Sequence, residues 1–329
     1  MMIALLEKGG VLPMEQQLDL ICVGVALVDS IIKGFDPNPV SASGYRAVSG
    51  SLNVGGEAVN EAIAAAKLGL NTGILCSLGE DEAGSMVSSA LRRCGVDCSR
   101  IICSAEHPTP VTTMFVSNDG TRRSITNSSH RYNFHPEQYP ERFTDAKALI
   151  LGSLFRAPFD DPDIIYSVLC AAKAAGQIVF ADTKLPNFRF LELKDLRDSL
   201  PLIDTITPNE DEARYYSGKE SPEEMADVFL SWGIQRVIIK LGPNGCFYKD
   251  AGFSCCLPAC AVPAVDATGA GDNFLAGFAS EVLQGSSAYE ALRFANACGA
   301  ICTTAVGAGA ALHSREQVLQ FIADHISEC

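Results

Sequence analysis

The chain has 329 residues, of which 47% are hydrophobic and 19% are charged, and its formal net charge is −14. This length suits one large α/β domain with a small addition, and the composition excludes a disordered chain. The acidic charge argues against binding to nucleic acid or to anionic membranes. No apolar run approaches the length of a membrane span. Residues 1–17 lack a basic start and are predicted to be an N-terminal extension rather than a signal peptide.

The 13 cysteines show no disulfide-like framework. The closest groups, Cys94 with Cys98 and Cys255–Cys256 with Cys260, lack paired Cys-x-x-Cys spacing, and the histidines lie elsewhere. A structural zinc site is therefore not expected. Most cysteines are interpreted as small buried apolar residues of a protein that works in the reducing cytoplasm.

Strands and helices alternate along the chain. This alternation implies one α/β domain over residues 18–329, with three layers and a mostly parallel, Rossmann-like sheet that has helices on both faces. The predicted strands are 18–28, 72–78, 148–151, 178–181, 205–207 and 236–241. The predicted helices are 58–68, one ending near residue 94, 164–175, 210–216, 222–232, 274–283, 288–303 and 315–326.

Two segments, 31–52 and 108–126, break this alternation because they are rich in Val, Thr, Ser and turn residues and have no helical period. Within the second, residues 111–116 and 122–125 flank the turn 117–120, which predicts a β-hairpin. The two segments are expected to form a small β-sheet outside the main sheet. A peripheral hairpin and an irregular loop are the alternative.

The most informative stretch is Asp266–Phe274, DATGAGDNF, which leads into a predicted helix. Gly269, Ala270 and Gly271 at a helix start leave backbone N–H groups open to a ligand, and the helix dipole favours an anion such as phosphate. Asp272 beside an anion site suits a base that deprotonates an attacking hydroxyl. The alternative is a glycine-rich turn that Asp272 merely caps.

A second motif, Gly55–Gly69, has paired glycines, then Asn60, then an alanine-rich helix. Paired glycines allow close approach of a ligand, and Asn60 offers both a donor and an acceptor to a sugar hydroxyl. Alternatively, Asn60 simply faces solvent on a capped helix. The two motifs together resemble the N-terminal and C-terminal signatures of the PfkB/ribokinase-like carbohydrate kinases. The resemblance covers Leu18–His325.

This resemblance implies a ribokinase-like fold whose small sheet, residues 31–52 and 108–126, is a lid over the sugar and often a homodimer surface. It implies ATP-dependent phosphorylation of a hydroxyl on a small sugar that is ribose-like, fructose-like or a related sugar acid. Asp272 would be the base, and the amides of Gly269, Ala270 and Gly271 would stabilise the transferring group. The sugar-binding residues would be Asp29, Gly55, Gly56, Asn60 and Asp272, with Asp29 placed just after the first predicted strand.

A nucleoside kinase of the same fold is the alternative function, because a furanose is common to both kinds of acceptor. Two other classes lack their motifs. Gly24–Leu27 does not supply the Gly-x-Gly-x-x-Gly of a dinucleotide-binding oxidoreductase, and no Gly-x4-Gly-Lys-Ser/Thr run indicates a P-loop enzyme.

The nucleotide and its metal have candidate residues in the second half of the chain. Asn209 and Glu212 resemble the family's Asn-x-x-Glu element, which holds Mg²⁺ through water, although an ordinary acidic first turn is the alternative. Lys240, Gly242 and Gly245 match the segment that borders ATP, or form a plain hairpin turn. Gly271 is assigned to ATP as well as to the transferring group. Asn296 falls where the family lines the adenine pocket, or is an exposed helix residue.

The family often binds a monovalent cation, so the resemblance also implies a site for potassium. A hydroxyl expected near residue 311 is replaced by Ala311, which puts this dependence in question. Arg156 stands where some relatives have a sugar-binding glutamate and either selects an acidic or phosphorylated sugar or lies at the surface. The candidate monovalent-cation ligands are Asp266, Thr268 and the carbonyl groups of Cys302, Ala305 and Gly307.

Overall fold

The computed structural model of the chain describes residues 17–34, 47–119, 121–127 and 134–325. Its strands are β1 Leu18–Gly24, β2 Leu27–Lys33, β3 Ser49–Gly55, β4 Thr72–Leu75, β5 Ser77–Gly79, β6 Ile102–Ser104, β7 Val111–Val116, β8 Arg122–Thr126, β9 Ala146–Leu154, β10 Ile178–Thr183, β11 Thr205–Ile206, β12 Arg236–Lys240, β13 Cys246–Asp250 and β14 Ser254–Leu257. Its helices are α1 Glu57–Lys67, α2 Glu82–Arg93, α3 Pro162–Ala174, α4 Glu210–Ser217, α5 Pro222–Ser231, α6 Ala270–Leu283, α7 Ala288–Thr303 and α8 Arg315–Asp324.

The main sheet has eight strands in the order β14-β13-β12-β11-β10-β9-β1-β4. The strands from β12 to β4 are parallel, and β13 and β14 are added antiparallel at one edge. The sequence of β1 suits its place inside the sheet: six of its seven residues are buried, as expected where helices cover both faces. Leu20 and Cys22 face one core, and Ile21 and Val23 face the other.

Helices pack on both faces of this sheet, which confirms the predicted three layers. The first core contains apolar residues of α1, α2, α6, α7 and α8, and the second contains those of α3, α4 and α5. The alanines of α1 let it lie close to α6, so the two predicted signatures sit side by side. Within the described residues, no helix has both the length and the apolar character needed to cross a bilayer.

A separate four-stranded sheet, here called the lid sheet, has the order β3-β2-β7-β8. Strand β2 runs antiparallel to β3 and parallel to β7, and β7 and β8 form the predicted hairpin. The first two strands of the lid sheet begin at Leu27 and end at Gly55, so they extend beyond the predicted 31–52 on both sides. Residues 35–46 and 120 lie outside the described residues.

The predicted first strand, 18–28, is wrong at its end. The chain leaves the main sheet after Gly24 and enters the lid sheet at Leu27, so Asp29 lies within β2 rather than just after β1. An apolar run that is buried almost throughout gives no signal of a change of sheet. The predicted strand 72–78 is divided in the same way, because its last part pairs with β6 in a two-stranded sheet.

Other predicted bounds differ by a few residues. The largest difference is at α6, which begins at Ala270 rather than Phe274, because the glycine-rich loop itself forms the first turn. The predicted extension, apart from residue 17, and the end of the last predicted helix lie outside the described residues.

Candidate active site

A cavity of about 970 Å³ lies at the carboxyl ends of the parallel strands, where open α/β sheets place their ligands. It is bounded by the lid sheet, the start of α1, the start of α6 and the loops after β10, β11, β12 and β14. Most predicted site residues meet there. Those that line the cavity are Asp29, Gly56, Asn60, Asn209, Glu212, Lys240, Gly242, Gly245, Thr268, Gly269, Ala270, Gly271, Asp272 and Asn296.

Asp272 lies in the first turn of α6 and is only 6% exposed. Its Oδ2 accepts a hydrogen bond of 2.7 Å from Nδ2 of Asn60, although the two residues are 212 positions apart. Asn60 therefore does not simply face solvent. Burial raises the pKa of Asp272 to about 6, against the lowering effect of the Lys184 ammonium group. A carboxylate that is ionised near neutral pH but keeps appreciable basicity suits a general base.

The loop before Asp272 has the geometry that only glycine adopts easily. Gly269 has φ 78°, and a Cβ on it would lie 2.6 Å from Cα of Ala308. Asn273 braces the loop from behind, since its Nδ2 donates to the carbonyl oxygens of Gly269 (2.8 Å) and Ala308 (2.7 Å). This bracing residue was missed by the sequence interpretation, which treated Asn273 only as part of the motif.

The three predicted amides are not equivalent. The amide of Ala270 donates to the carbonyl oxygen of Ala267 at 3.2 Å, so it is already used within the loop. Gly271 occupies the second position of α6, and amides in a first turn have no partner within their own helix. A Cβ on Gly271 would lie 3.0 Å from Nζ of Lys240, so the glycine leaves space beside that ammonium group.

Asp29 faces the cavity from the lid sheet. Burial, followed by the nearby charge of Glu57, raises its pKa to about 6. Gly55 lies on the neighbouring strand, and a Cβ there would be 2.3 Å from Oδ2 of Asp29. Gly55 therefore makes room for the carboxylate but does not line the cavity itself. Gly56 follows with φ 98° and is the N-cap residue of α1.

Three charged residues that were not predicted, Glu57, Asp182 and Lys184, also line the cavity. They share the end that contains Asp29 and Asp272, here called the acceptor end. Oδ1 of Asp182 accepts from Nζ of Lys240 at 2.7 Å, and Nζ of Lys184 is 3.5 Å from Oε1 of Glu57. Burial opposes the charge of Lys184, but Glu57 and Asp272 raise its pKa above the ordinary value. Asp182 was detectable, because it follows the predicted strand 178–181 and polar residues at such strand ends form ligand sites.

Asn209 and Glu212 form a capping box at the start of α4. Oδ1 of Asn209 accepts from the amide of Glu212 at 2.9 Å, and Oε2 of Glu212 accepts from the amide of Asn209 at 2.9 Å and from Thr183 Oγ1 at 2.8 Å. Burial raises the pKa of Glu212, and Asp182 adds to this effect. Both residues thus cap the acidic first turn of α4 and also line the cavity, and the assignment to Mg²⁺ stays a prediction.

The end of the cavity that contains Gly242, Gly245 and Asn296, here called the far end, has a different lining. Lys240 does not extend towards it but binds Asp182. Gly245 has φ 90°, and a Cβ on it would lie 1.9 Å from the carbonyl oxygen of Leu257, while Gly242 has open space. Asn296 is 7% exposed and its Nδ2 donates to the carbonyl oxygen of Pro258 at 3.1 Å. The interpretation of Asn296 as an exposed helix residue is therefore wrong.

Four of the five residues predicted to hold a monovalent cation are linked by contacts beside the loop, although none of these contacts involves the predicted carbonyl groups of Cys302 or Gly307. Oδ1 of Asp266 accepts from the amide (3.0 Å) and Oγ1 (2.7 Å) of Thr268, and its Oδ2 accepts from the amide of Gly307 at 3.0 Å. Sγ of Cys302 lies 3.5 Å from the carbonyl oxygen of Thr268, and Ala305 is in the turn after α7. Asp266 thus links the glycine-rich loop directly to the segment after α7 that contains Gly307. Cation binding stays a prediction.

Arg156 does not line the cavity. Its Nε donates to the carbonyl oxygen of Leu185 at 2.6 Å, so the side chain supports the loop after β10. The idea that Arg156 selects an acidic sugar therefore has no contact in support of it.

The fold and cavity together define a class of protein: an α/β small-molecule kinase with a carboxylate at a helix N-terminus and one cavity that this carboxylate shares with the lid sheet and the glycine-rich loops. The chain belongs to the PfkB family of carbohydrate kinases, since the family model for pfkB family carbohydrate kinases matches residues 19–315.

Individual relatives agree with this family. A ribokinase from Haemophilus influenzae is 30% identical over 276 residues, which are 82% of this chain and 87% of that protein. A 2-dehydro-3-deoxygluconokinase from Bacillus subtilis is 30% identical over 288 residues, 83% and 87% of the respective chains. The structure of Arabidopsis thaliana ribokinase complexed with ribose and ATP has a TM-score of 0.82 at 28% identity and covers 93% of this chain and 99% of that one. The predicted family and fold class are confirmed.

Proposed function

We propose that this protein transfers the γ-phosphoryl group of ATP to a hydroxyl group of a small sugar, with Asp272 as the general base. The observation that carries the proposal is the position of Asp272: it is buried at the start of α6, hydrogen bonded to Asn60, and in one cavity with Asp29 and the Gly269–Gly271 loop. A carboxylate beside an anion-binding helix terminus has a clear use when it must accept a proton from the attacking hydroxyl.

In this mechanism, Asp29 and Asn60 hold the sugar so that one hydroxyl points at Asp272. The hydroxyl O–H bond breaks and its proton moves to Asp272, while the oxygen forms a bond to the γ-phosphorus and the bond to ADP breaks. The amide of Gly271 and the ammonium groups of Lys184 and Lys240 stabilise the charge on the transferring group. The phosphorylated sugar and ADP then leave.

The site also fits Mg²⁺, since its oxygen donors are of the hard type that this ion prefers. Glu212 and Asp182 are buried carboxylates at the wall of the cavity, and Asn209 starts the helix that carries Glu212. Bound with ATP, Mg²⁺ neutralises phosphate charge. Because Asn209 and Glu212 cap one another, they would act on the ion through water. A monovalent cation at Asp266 and Thr268 is proposed as a separate, dispensable ion.

The acceptor is proposed to be a neutral sugar, ribose-like or fructose-like. The acceptor end of the cavity carries Asp29, Glu57 and Asp272, with Lys184 drawn towards Glu57, and Arg156 contributes no positive charge there. A sugar acid would face these carboxylates at close range, and like charges in a buried site repel strongly. A nucleoside remains the second candidate, because it offers the same furanose hydroxyls.

One screen tests this function. Purified protein is incubated with Mg²⁺-ATP and with ribose, fructose, gluconate-type acids and nucleosides, and ADP formation is measured with and without each acceptor. We expect acceptor-dependent ADP formation with a neutral sugar, absent in Asp272→Asn. Turnover with a nucleoside alone would replace the sugar assignment, and ATP hydrolysis independent of every acceptor would contradict the function.

We further propose that two copies pair through the lid sheet. Val48, Leu52 and Ile125 are exposed apolar residues on or beside it, 83%, 62% and 71% exposed respectively, which is unusual for a surface that stays in water. Light scattering of the wild type and of Leu52→Asp measures this: a dimer that the substitution converts to monomer is expected. A monomeric wild type would contradict the pairing.

A further inference from the structure

A buried acidic cluster lies under the active-site cavity. Carboxylate oxygens of Glu61, Asp182 and Asp272 all lie within 4.8 Å of one another, and all three residues are buried. They come from three separate elements, α1, β10 and α6, so tertiary structure alone brings them together. Among them, the proposed reaction uses only Asp272 directly.

Glu61 is the unusual member. It is 0% exposed, and neither of its oxygens has a hydrogen-bond partner among the described residues. A buried carboxylate that accepts no hydrogen bond destabilises the folded state, because the free energy lost with its hydration is not compensated. Space is nevertheless kept for it: a Cβ on Gly152 would lie 2.6 Å from Oε2 of Glu61. Burial, with the charges of Asp272 and Asp182, raises the pKa of Glu61 well above its ordinary value.

The neighbouring cations do not balance this charge. Lys240 is bonded to Asp182, and Lys184 is drawn towards Glu57. Hydrogen bonds from described residues reach Asp272 at Oδ2 and Asp182 at Oδ1, so each has a second oxygen for another partner. One proton on Glu61 would cancel a single charge, whereas a divalent cation would cancel two and would give the buried Glu61 carboxylate a partner.

We propose that Glu61, Asp182 and Asp272 form a site for a divalent cation that binds in the absence of ATP. The ligand atoms are all carboxylate oxygens, so the ion is of the hard class, Mg²⁺ or Mn²⁺. It enters through the cavity, because Asp182 and Asp272 line its wall while Glu61 lies behind them. The site shares Asp182 with the wall proposed for nucleotide-bound Mg²⁺ but includes neither Asn209 nor Glu212, and it depends on Glu61, which the phosphoryl transfer does not otherwise require.

Mn²⁺ is the probe. Its binding to the full chain is followed by electron paramagnetic resonance, without nucleotide or sugar, so the result does not depend on catalysis. We expect one tight Mn²⁺ per chain in the wild type and at least a tenfold weaker affinity in Glu61→Gln. Glu82→Gln is the control, since it removes one carboxylate at the exposed start of α2, outside the cavity, and its affinity should stay within about twofold of the wild type.

Two results would overturn the site: a wild-type chain that binds no Mn²⁺ without nucleotide, or a Glu61→Gln chain that binds it as tightly as the wild type. Unfolding midpoints establish whether Glu61→Gln folds. Should it not fold, Asp182→Asn provides the same measurement, and undiminished binding in that variant would likewise contradict the assignment.

Discussion

The two ends of the cavity differ in chemistry. The acceptor end contains the ionisable side chains of Asp29, Glu57 and Asp272 together with Lys184, whereas small or apolar residues such as those of 259–262 line the other end, where Asn296 lies. On the proposed function, the first end would act through charge and proton transfer, and the second through shape. Substitutions at the acceptor end should change kcat or the KM for the sugar, while those at the far end should change the KM for ATP.

The largest effect is expected from Asp272→Asn. The amide keeps the size and can still pair with Asn60, but it cannot accept the proton, so kcat should fall by about a hundred- to ten-thousand-fold. Steady-state kinetics measure this, and binding of ATP by calorimetry should be unchanged. A kcat close to that of the wild type would show that another group is the base.

The pH dependence should reflect the same carboxylate. Because the pKa of Asp272 is raised to about 6, its ionised form is lost below that pH, and kcat/KM should fall about tenfold per pH unit. Folding raises this pKa, so protonation between about pH 6 and pH 4 favours the folded state rather than weakening it. The decline should therefore precede unfolding.

Asp29→Asn separates the two carboxylates in that profile. Burial also raises the pKa of Asp29 to about 6, but the role proposed for Asp29 is to hold the sugar. The variant should have a raised KM for the sugar and should keep the fall in kcat/KM towards acid. A flat kcat/KM profile in this variant would assign the titration to Asp29 instead.

The loop between the two ends should be sensitive to Gly269→Ala. With φ 78° and Ala308 close by, the added methyl group costs about 1–2 kcal/mol in backbone strain alone, and the contact with Ala308 adds to it. Urea unfolding gives the loss of stability. Gly285→Ala is the control, because Gly285 has φ 81° but open space, so it should show only the backbone cost.

The smallest effect is expected at the far end. Asn296→Ala removes the hydrogen bond that fixes the carbonyl group of Pro258, a loss of about 1 kcal/mol, and should raise the KM for ATP about fivefold. The KM for the sugar should not change. A large drop in kcat with unchanged KM for ATP would contradict the division of the cavity.

Sequence predicted the parts of the site that lie within short motifs. Asn60 and Asp272 belong to two such strings, and the alternating strands and helices implied that both would reach the carboxyl ends of the sheet. Glu61 and Lys184 were missed, because their importance comes from neighbours contributed by other elements, whereas Asp182 was missed although its place after a predicted strand was a usable signal. The change of sheet between β1 and β2 was also invisible, since residues on both sides of it are apolar and buried.

The position of Asp29 on the lid sheet has one more consequence. Asp29 belongs to β2, whereas Asp272 belongs to α6, so a sugar held by both carboxylates physically links the small sheet to the main body. Acceptor binding is therefore expected to slow hydrogen–deuterium exchange of the amides of β2 and β3, on the opposite side of the cavity from the far end assigned to ATP. In this way the acceptor itself would complete the enclosure in which it is phosphorylated.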